Sequence, residues 1–104
     1  MAAGADAAAE LAYGARLRSY RFDKYRTKEK PDRKPTMQTL TVASAKPGDA
    51  KKKFAGLDKV ADAVFFARDI ISEPANIIYP ESLAERAREL EALGVEVEIL
   101  KPKD

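Results

Sequence analysis

The 104-residue sequence contains no cysteine, no histidine and no tryptophan, and only five glycines. Without cysteine there is no disulfide framework, and a reducing, cytoplasmic compartment is the expectation. Without histidine, Ser-His-Asp and Cys-His nucleophilic catalysis and histidine-based zinc sites are excluded within the chain. The glycines stand apart from one another, so there is no glycine-rich phosphate loop. No apolar run reaches the roughly 18–20 residues that a membrane-crossing helix needs. The opening Met-Ala-Ala-Gly-Ala-Asp lacks the basic start and leucine-rich centre of a secretory signal, so none is expected.

What is present is charge. Lys and Arg number 19 and Asp and Glu 17, together 35% of residues, against 45% hydrophobic residues rich in alanine. A chain of this length forms at most one small domain with a thin core. A net charge of +2 is too small to imply nucleic acid or a membrane surface. The distribution is uneven. From Tyr13 to Lys34 nine basic residues face three acidic ones, a local +6. From Pro74 to Asp104 four basic residues face seven acidic ones, a local −3.

The hydrophobic pattern predicts the order helix-strand-helix-helix-strand, and hence an α/β class. A first helix is expected from about Asp6, as N-cap, to Lys24, with Leu11, Tyr13, Ala15, Leu17 and Tyr20 at helical spacing. A charged connector from Thr27 to Pro35 precedes a strand from Met37 to Ala45, in which Leu40 and Val42 share a face. Lys46-Pro-Gly-Asp reads as a turn. A second helix begins near Lys51 or Phe54 and is strongest from Asp58 to Ser72. Its apolar stripe of Leu57, Val60, Ala61, Val64 and Ile71, widened by Ala63, Phe66 and Ile70, predicts packing from more than one side. Pro74 ends it. Pro80 starts a third helix, with Leu83, Ala84, Ala87, Leu90 and Leu93 as its buried stripe and Gly94 at the left-handed C′ position. Val95, Val97 and Ile99 alternate with Glu96 and Glu98 as a second strand.

Several groupings invite a chemical role. Basic residues from Arg16 to Lys28 interleave with Tyr20, Phe22 and Tyr25, as in proteins that grip phosphates and stack bases. Asp23 interrupts the cations, however, and no nucleic-acid motif spacing is met, so nucleic acid is not expected. Glu81, Glu85 and Glu89 share an i, i+4 row, with Glu91 close by. A hard cation needs more oxygen ligands and a concave site, so ion pairs with Arg86 and Arg88 are the expectation. Asp69 and Glu73 also lie i, i+4, with Arg68 on another side of the helix and no pocket implied. Asn76 reads as a turn residue. No catalytic, cofactor-binding or metal-binding residue is therefore assigned.

Three pieces of the chain resemble the leucyl aminopeptidase family of metallopeptidases, also called cytosol aminopeptidases. Leu11 to Lys28 is similar to the last helix of the family's N-terminal domain, and Thr39 to Ala45 to the strand after it. Phe65-Phe-Ala-Arg-Asp-Ile-Ile-Ser-Glu-Pro-Ala-Asn, followed by Pro80-Glu81, resembles the interdomain helix and its exit into the catalytic domain. Two positions depart from the pattern. Ser72 stands where Asn is frequent, and Tyr79 where a Thr often caps the next helix, a hydroxyl worth about 1 kcal/mol if nothing replaces it.

The resemblance implies a division into 1–50, the end of an N-terminal α/β domain, 51–73, the interdomain helix, and 74–104, the start of the catalytic domain. It implies a parent hydrolase that releases N-terminal amino acids from peptides with two divalent metal ions of zinc or manganese type, and that forms a homo-oligomer. The family's metal-binding K-G-x-T-F-D-x-G-G and N-T-D-A-E-G-R-L stretches do not occur here, and on the family's layout both follow Asp104. The expectation is a structural, catalytically incomplete piece whose partner is the rest of its parent chain, poorly stable or self-associating when isolated. The alternative is a small stand-alone basic module that binds an acidic partner or RNA.

Overall fold

The structure, a computed structural model, describes residues 4–103. Its regular elements are helices: α1 (Ala5–Arg18), α2 (Pro47–Ser72) and α3 (Pro80–Ala87), with 3₁₀ segments at Pro31–Arg33 and Arg88–Leu93. The chain divides into two compact units, one ending at Arg68 and the other beginning at Asp69.

The expected α/β class is not what forms. Among the described residues there is no sheet, and Ser44 alone takes part in an isolated bridge. Apart from that bridge, Met37–Ala45 and Val95–Leu100 belong to no helix and make no ladder. Apolar alternation defines the faces of a strand, whereas its stability comes from backbone pairing with a neighbour. Neither segment finds that neighbour here, and Met37 and Leu100 stay 73% and 81% exposed.

In the first unit α1 starts after Gly4, with Asp6 in its first turn rather than at the cap. It stops at Arg18, six residues before the expected end. The Ser19 N–H donates to both Ala15 O and Arg16 O (3.0 and 3.1 Å), and the Ser19 hydroxyl donates to Arg16 O at 2.6 Å. That tightened turn releases Tyr20, Phe22 and Tyr25 from the helix.

Pairings advance together along α1 and α2: Asp6 with Lys53, then Arg16 with Asp58 and Asp62, then Tyr20 with Phe65. As far as Arg68 the two helices therefore run parallel. The connection between parallel helices must return along their length. Fourteen residues of helix span about 21 Å, and the irregular stretch from Pro35 to Ala43 can cover that at up to roughly 3.3 Å per residue. The core is small. Ala8, Ala9 and Ala61 are the buried hydrophobic residues among those described, and Leu11 is exposed. Alanine lets helices approach closely but buries little area, so larger side chains remain at the margins.

Lys46-Pro-Gly-Asp is not a turn but the start of α2. Pro47 takes the first helical position, where no N–H is required and φ is already suitable. Ala50 N–H closes the first turn on Lys46 O at 3.1 Å, and the Lys46 N–H donates to Ser44 Oγ at 3.1 Å. The helix runs to Ser72 before Pro74, as its sequence predicts. Its wide apolar stripe is only partly covered: Ala61 is buried, Leu57 and Val64 are half-buried, and Ile71 is 81% exposed.

In the second unit the loop after Pro74 turns on its own backbone, Ile77 N–H and Ile78 N–H both donating to Pro74 O (2.9 and 3.0 Å). Pro80 opens α3. The Tyr79 N–H, which a threonine at position 79 would not itself have satisfied, donates to Ser82 Oγ at 2.9 Å, the reach-back half of a capping box. Beyond Ala87 the helix narrows to 3₁₀ geometry. It closes at Gly94, φ 82°, with Gly94 N–H to Glu91 O and Val95 N–H to Leu90 O (3.0 and 3.3 Å), a Schellman motif. The expected buried stripe of α3 is only half-covered, and Leu93 is exposed.

Candidate functional site

The basic and aromatic residues singled out in the sequence converge in the first unit. The Arg16 guanidinium sits between two successive carboxylates of α2, Nε 3.1 Å from Asp58 Oδ1 and Nη2 2.8 Å from Asp62 Oδ1. It also lies 4.6 Å from the centre of the Phe65 ring. Tyr20 packs tilted against Phe65 at 5.3 Å and carries Arg68 over its other contact surface at 4.2 Å. Two cations and two rings thus interleave where the end of α1 meets α2. A cation over a ring is worth about 0.5–1 kcal/mol at such exposed sites.

Past α1, Phe22 and Tyr25 meet edge to face at 5.8 Å, and Lys24 lies 5.5 Å from the Tyr25 ring. These aromatics contact one another and the arginines rather than forming a free stacking platform. Glu29 is held by Arg21 through a hydrogen bond and by Arg26 at 3.6 Å, its side chain only 8% exposed. Arg21 also reaches Arg33 O at 3.5 Å. The Arg21 hydrogen bond keeps the Glu29 carboxyl below its ordinary value of 4.5. Burial opposes this, and the charges of Arg21, Arg26 and Lys34 reinforce it.

Of these residues, Arg16, Tyr20, Arg21, Phe22, Arg26, Glu29, Arg33 and Arg68 line an open cavity of about 1290 Å³. Six arginines face it, Arg16, Arg18, Arg21, Arg26, Arg33 and Arg68, against one carboxylate, Glu29. Met37, Leu40 and Val42 of the connecting segment, with Phe54 of α2, supply apolar wall. The charge of its lining is therefore predominantly positive.

The acidic candidates do not form a site. Glu81, Glu85 and Glu89 do not continue as one helical row, because α3 ends at Ala87. Glu85 pairs with Arg88 at 3.6 Å and Glu89 with Arg86 at 2.7 Å, as the sequence predicts, all four well exposed. Among the described residues no group of three or more His, Cys, Asp or Glu could hold a metal ion. Asp69 and Glu73 are half-buried, and neither is free of partners. Asn76 lies in the exposed turn after Pro74. No helix among the described residues is long and apolar enough to cross a membrane.

No motif in the sequence announces the cavity. Its arginines are visible in the sequence, but their convergence depends on α1 ending early and on contacts more than forty residues apart.

No protein-family profile matches the chain, and no solved structure matches it. Curated relatives do. The chain is 53% identical over 100 residues to a probable cytosol aminopeptidase of Caulobacter vibrioides, which covers 96% of this chain and 20% of that protein. It is 48% identical over 95 residues to one of a Bradyrhizobium species, covering 91% and 19% respectively. A third, from Rhodopseudomonas palustris, is 47% identical over 97 residues, covering 92% and 19%. The chain thus spans about one fifth of the length of the relatives it matches. These matches give no support to a stand-alone basic module.

Proposed function

Because this chain belongs to the leucyl aminopeptidase family as a segment of about one fifth of its relatives' length, we propose that it is the structural joint of a metal-dependent aminopeptidase. The observation that carries this reading is 53% identity over 100 residues, 96% of the chain. In this reading residues 1–50 end the N-terminal domain, 51–73 form the interdomain helix and 74–104 begin the catalytic domain. The incomplete cover of α2 supports it, since an exposed Ile71 and a half-exposed Val60 suit a helix that meets further protein.

The partner is then the rest of the parent chain, and the parent is a cytoplasmic homo-oligomer that removes N-terminal residues from peptides. Two divalent ions, of zinc or manganese type, would supply the activated water there. No residue of this segment holds them, and none is catalytic. Its contribution is mechanical: it fixes where one domain stops and the next begins, at Pro74 and Pro80.

The test is an assay of the isolated 104-residue chain on a leucine anilide with added manganese or zinc. The expected result is no turnover above buffer. Metal-dependent turnover that survives rigorous purification would overturn the structural reading.

A further inference from the structure

The six arginines around the cavity of the first unit are not equally provided for. Arg16 is held between Asp58 and Asp62, and Arg21 and Arg26 share Glu29. Among the described residues no carboxylate pairs with Arg18, Arg33 or Arg68. Arg68 lies 4.2 Å from the centre of the Tyr20 ring, a contact that attracts the cation without neutralising it. Set against Glu29, Asp58 and Asp62, the six arginines leave an excess of three positive charges. All three unmatched arginines are exposed.

The same cavity has apolar wall with little cover: Met37 is 73% exposed and Leu40 55%. The chain accounts for about one fifth of its relatives' length, so about four fifths of such a parent lies outside it. Protein that packs on Met37 and Leu40 also takes water from the guanidiniums beside them. A desolvated cation left without a partner is far more costly than a paired one. An occupant must therefore bring apolar surface for the wall and carboxylates for the arginines. A small inorganic anion supplies only the second.

We propose that the arginine-lined cavity of the first unit receives a carboxylate-bearing segment of the parent chain from outside these 104 residues, its Asp or Glu side chains pairing with Arg18, Arg33 and Arg68 and its apolar side chains covering Met37 and Leu40. The inference rests on the reading of this chain as a joint and names the chemistry of one contact that the reading requires. Arginine suits such a seat, because a planar guanidinium can engage one carboxylate through two parallel N–H bonds.

The test uses the full-length parent enzyme, with metal-dependent hydrolysis of a leucine anilide read alongside. Arg18→Lys and Arg33→Lys, made separately, keep the charge and introduce an amine. A carbodiimide joins that amine to a contacting carboxylate without a spacer, and mass spectrometry of the peptides identifies the pair. Each variant should cross-link to an Asp or Glu outside the 104 residues. In the unaltered enzyme, phenylglyoxal should modify Arg18 and Arg33 at least about tenfold more slowly in the native state than after unfolding in urea. Arg18→Glu should lower the melting temperature, and a lysine at the mapped carboxylate should restore it.

Cross-links confined to carboxylates within the 104 residues would overturn the proposal, as would arginines equally reactive in native and unfolded enzyme. So would protection that appears only when phosphate, citrate or RNA is added. Freely reactive arginines in an enzyme with normal metal-dependent turnover would sink this inference and leave the joint standing. A full-length protein without such turnover would sink the joint reading, and this inference with it.

Discussion

The Glu29 carboxylate accepts a hydrogen bond from the Arg21 guanidinium inside an otherwise cationic cavity. Its pKa is therefore lowered, by that hydrogen bond first and by the surrounding cations second. The sign of the consequence is fixed by linkage. A carboxyl whose folded pKa lies below its unfolded value adds stability above the unfolded value, and that stability fades as pH falls through the folded one. A carbon-detected NMR titration of Glu29 should show a midpoint below 4.5. Arg21→Gln should move it upward. A midpoint at or above the ordinary value in the unaltered chain would contradict the arrangement.

Arg16 fastens α1 to α2 through Asp58, Asp62 and the Phe65 ring. The groups are partly solvated, so each contact is worth well under its value in a dry interior. Arg16→Met keeps much of the apolar stem and removes the charge. The expected loss is about 1 kcal/mol, seen as a fall of roughly 4–8 °C in melting temperature for a unit of this size. An unchanged melting temperature would mean that Arg16 does not carry the attachment of α1 to α2.

The start of α3 relies on Ser82 rather than on a hydroxyl at its cap. Ser82→Ala should lower hydrogen-exchange protection of the α3 amides by an amount equivalent to about 0.5–1 kcal/mol. Tyr79→Thr should raise it, because the new hydroxyl accepts from the first-turn amides that Ser82 does not serve. Lower protection in the threonine variant would show that the Tyr79 ring makes a larger contribution than the cap.

Gly94 has a φ of 82°, and a Cβ there would meet nothing within 4 Å. The cost of Gly94→Ala is therefore backbone strain alone, about 1 kcal/mol, while Gly94→Asn should cost less. Urea unfolding curves of the two variants distinguish them. Equal stability of the alanine variant and the wild type would indicate that the Schellman closure does not persist in solution.

The features legible in the sequence are those decided within a few residues. Pro74 ends α2, Pro80 opens α3, Gly94 closes the 3₁₀ segment and Arg86 meets Glu89, each set by local sterics or spacing. Features decided at a distance were misread. The end of α1 at Arg18 coincides with the packing of Tyr20 on Phe65, and no local signal at Ser19 announces it. Lys46-Pro-Gly-Asp has turn chemistry, yet Pro47 serves equally well as the first residue of a helix. The extended segments have strand patterning but no partner, which periodicity cannot supply. The site was partly legible: the basic and aromatic run from Arg16 to Lys28 stands out in the sequence, whereas its meeting with Arg33, Arg68 and Phe54 depends on the packing of α1, α2 and the segment between them.

The central claim is that these residues serve as the joint of an aminopeptidase. A chimera tests it most directly: the Caulobacter vibrioides relative carrying this chain in place of its own matching 100 residues. The account predicts a chimera of the same assembly size as the unaltered relative, hydrolysing a leucine anilide with a metal-dependent kcat/KM within about tenfold of it, a difference of about 1.4 kcal/mol in barrier. A chimera that assembles normally but shows no metal-dependent hydrolysis would contradict it.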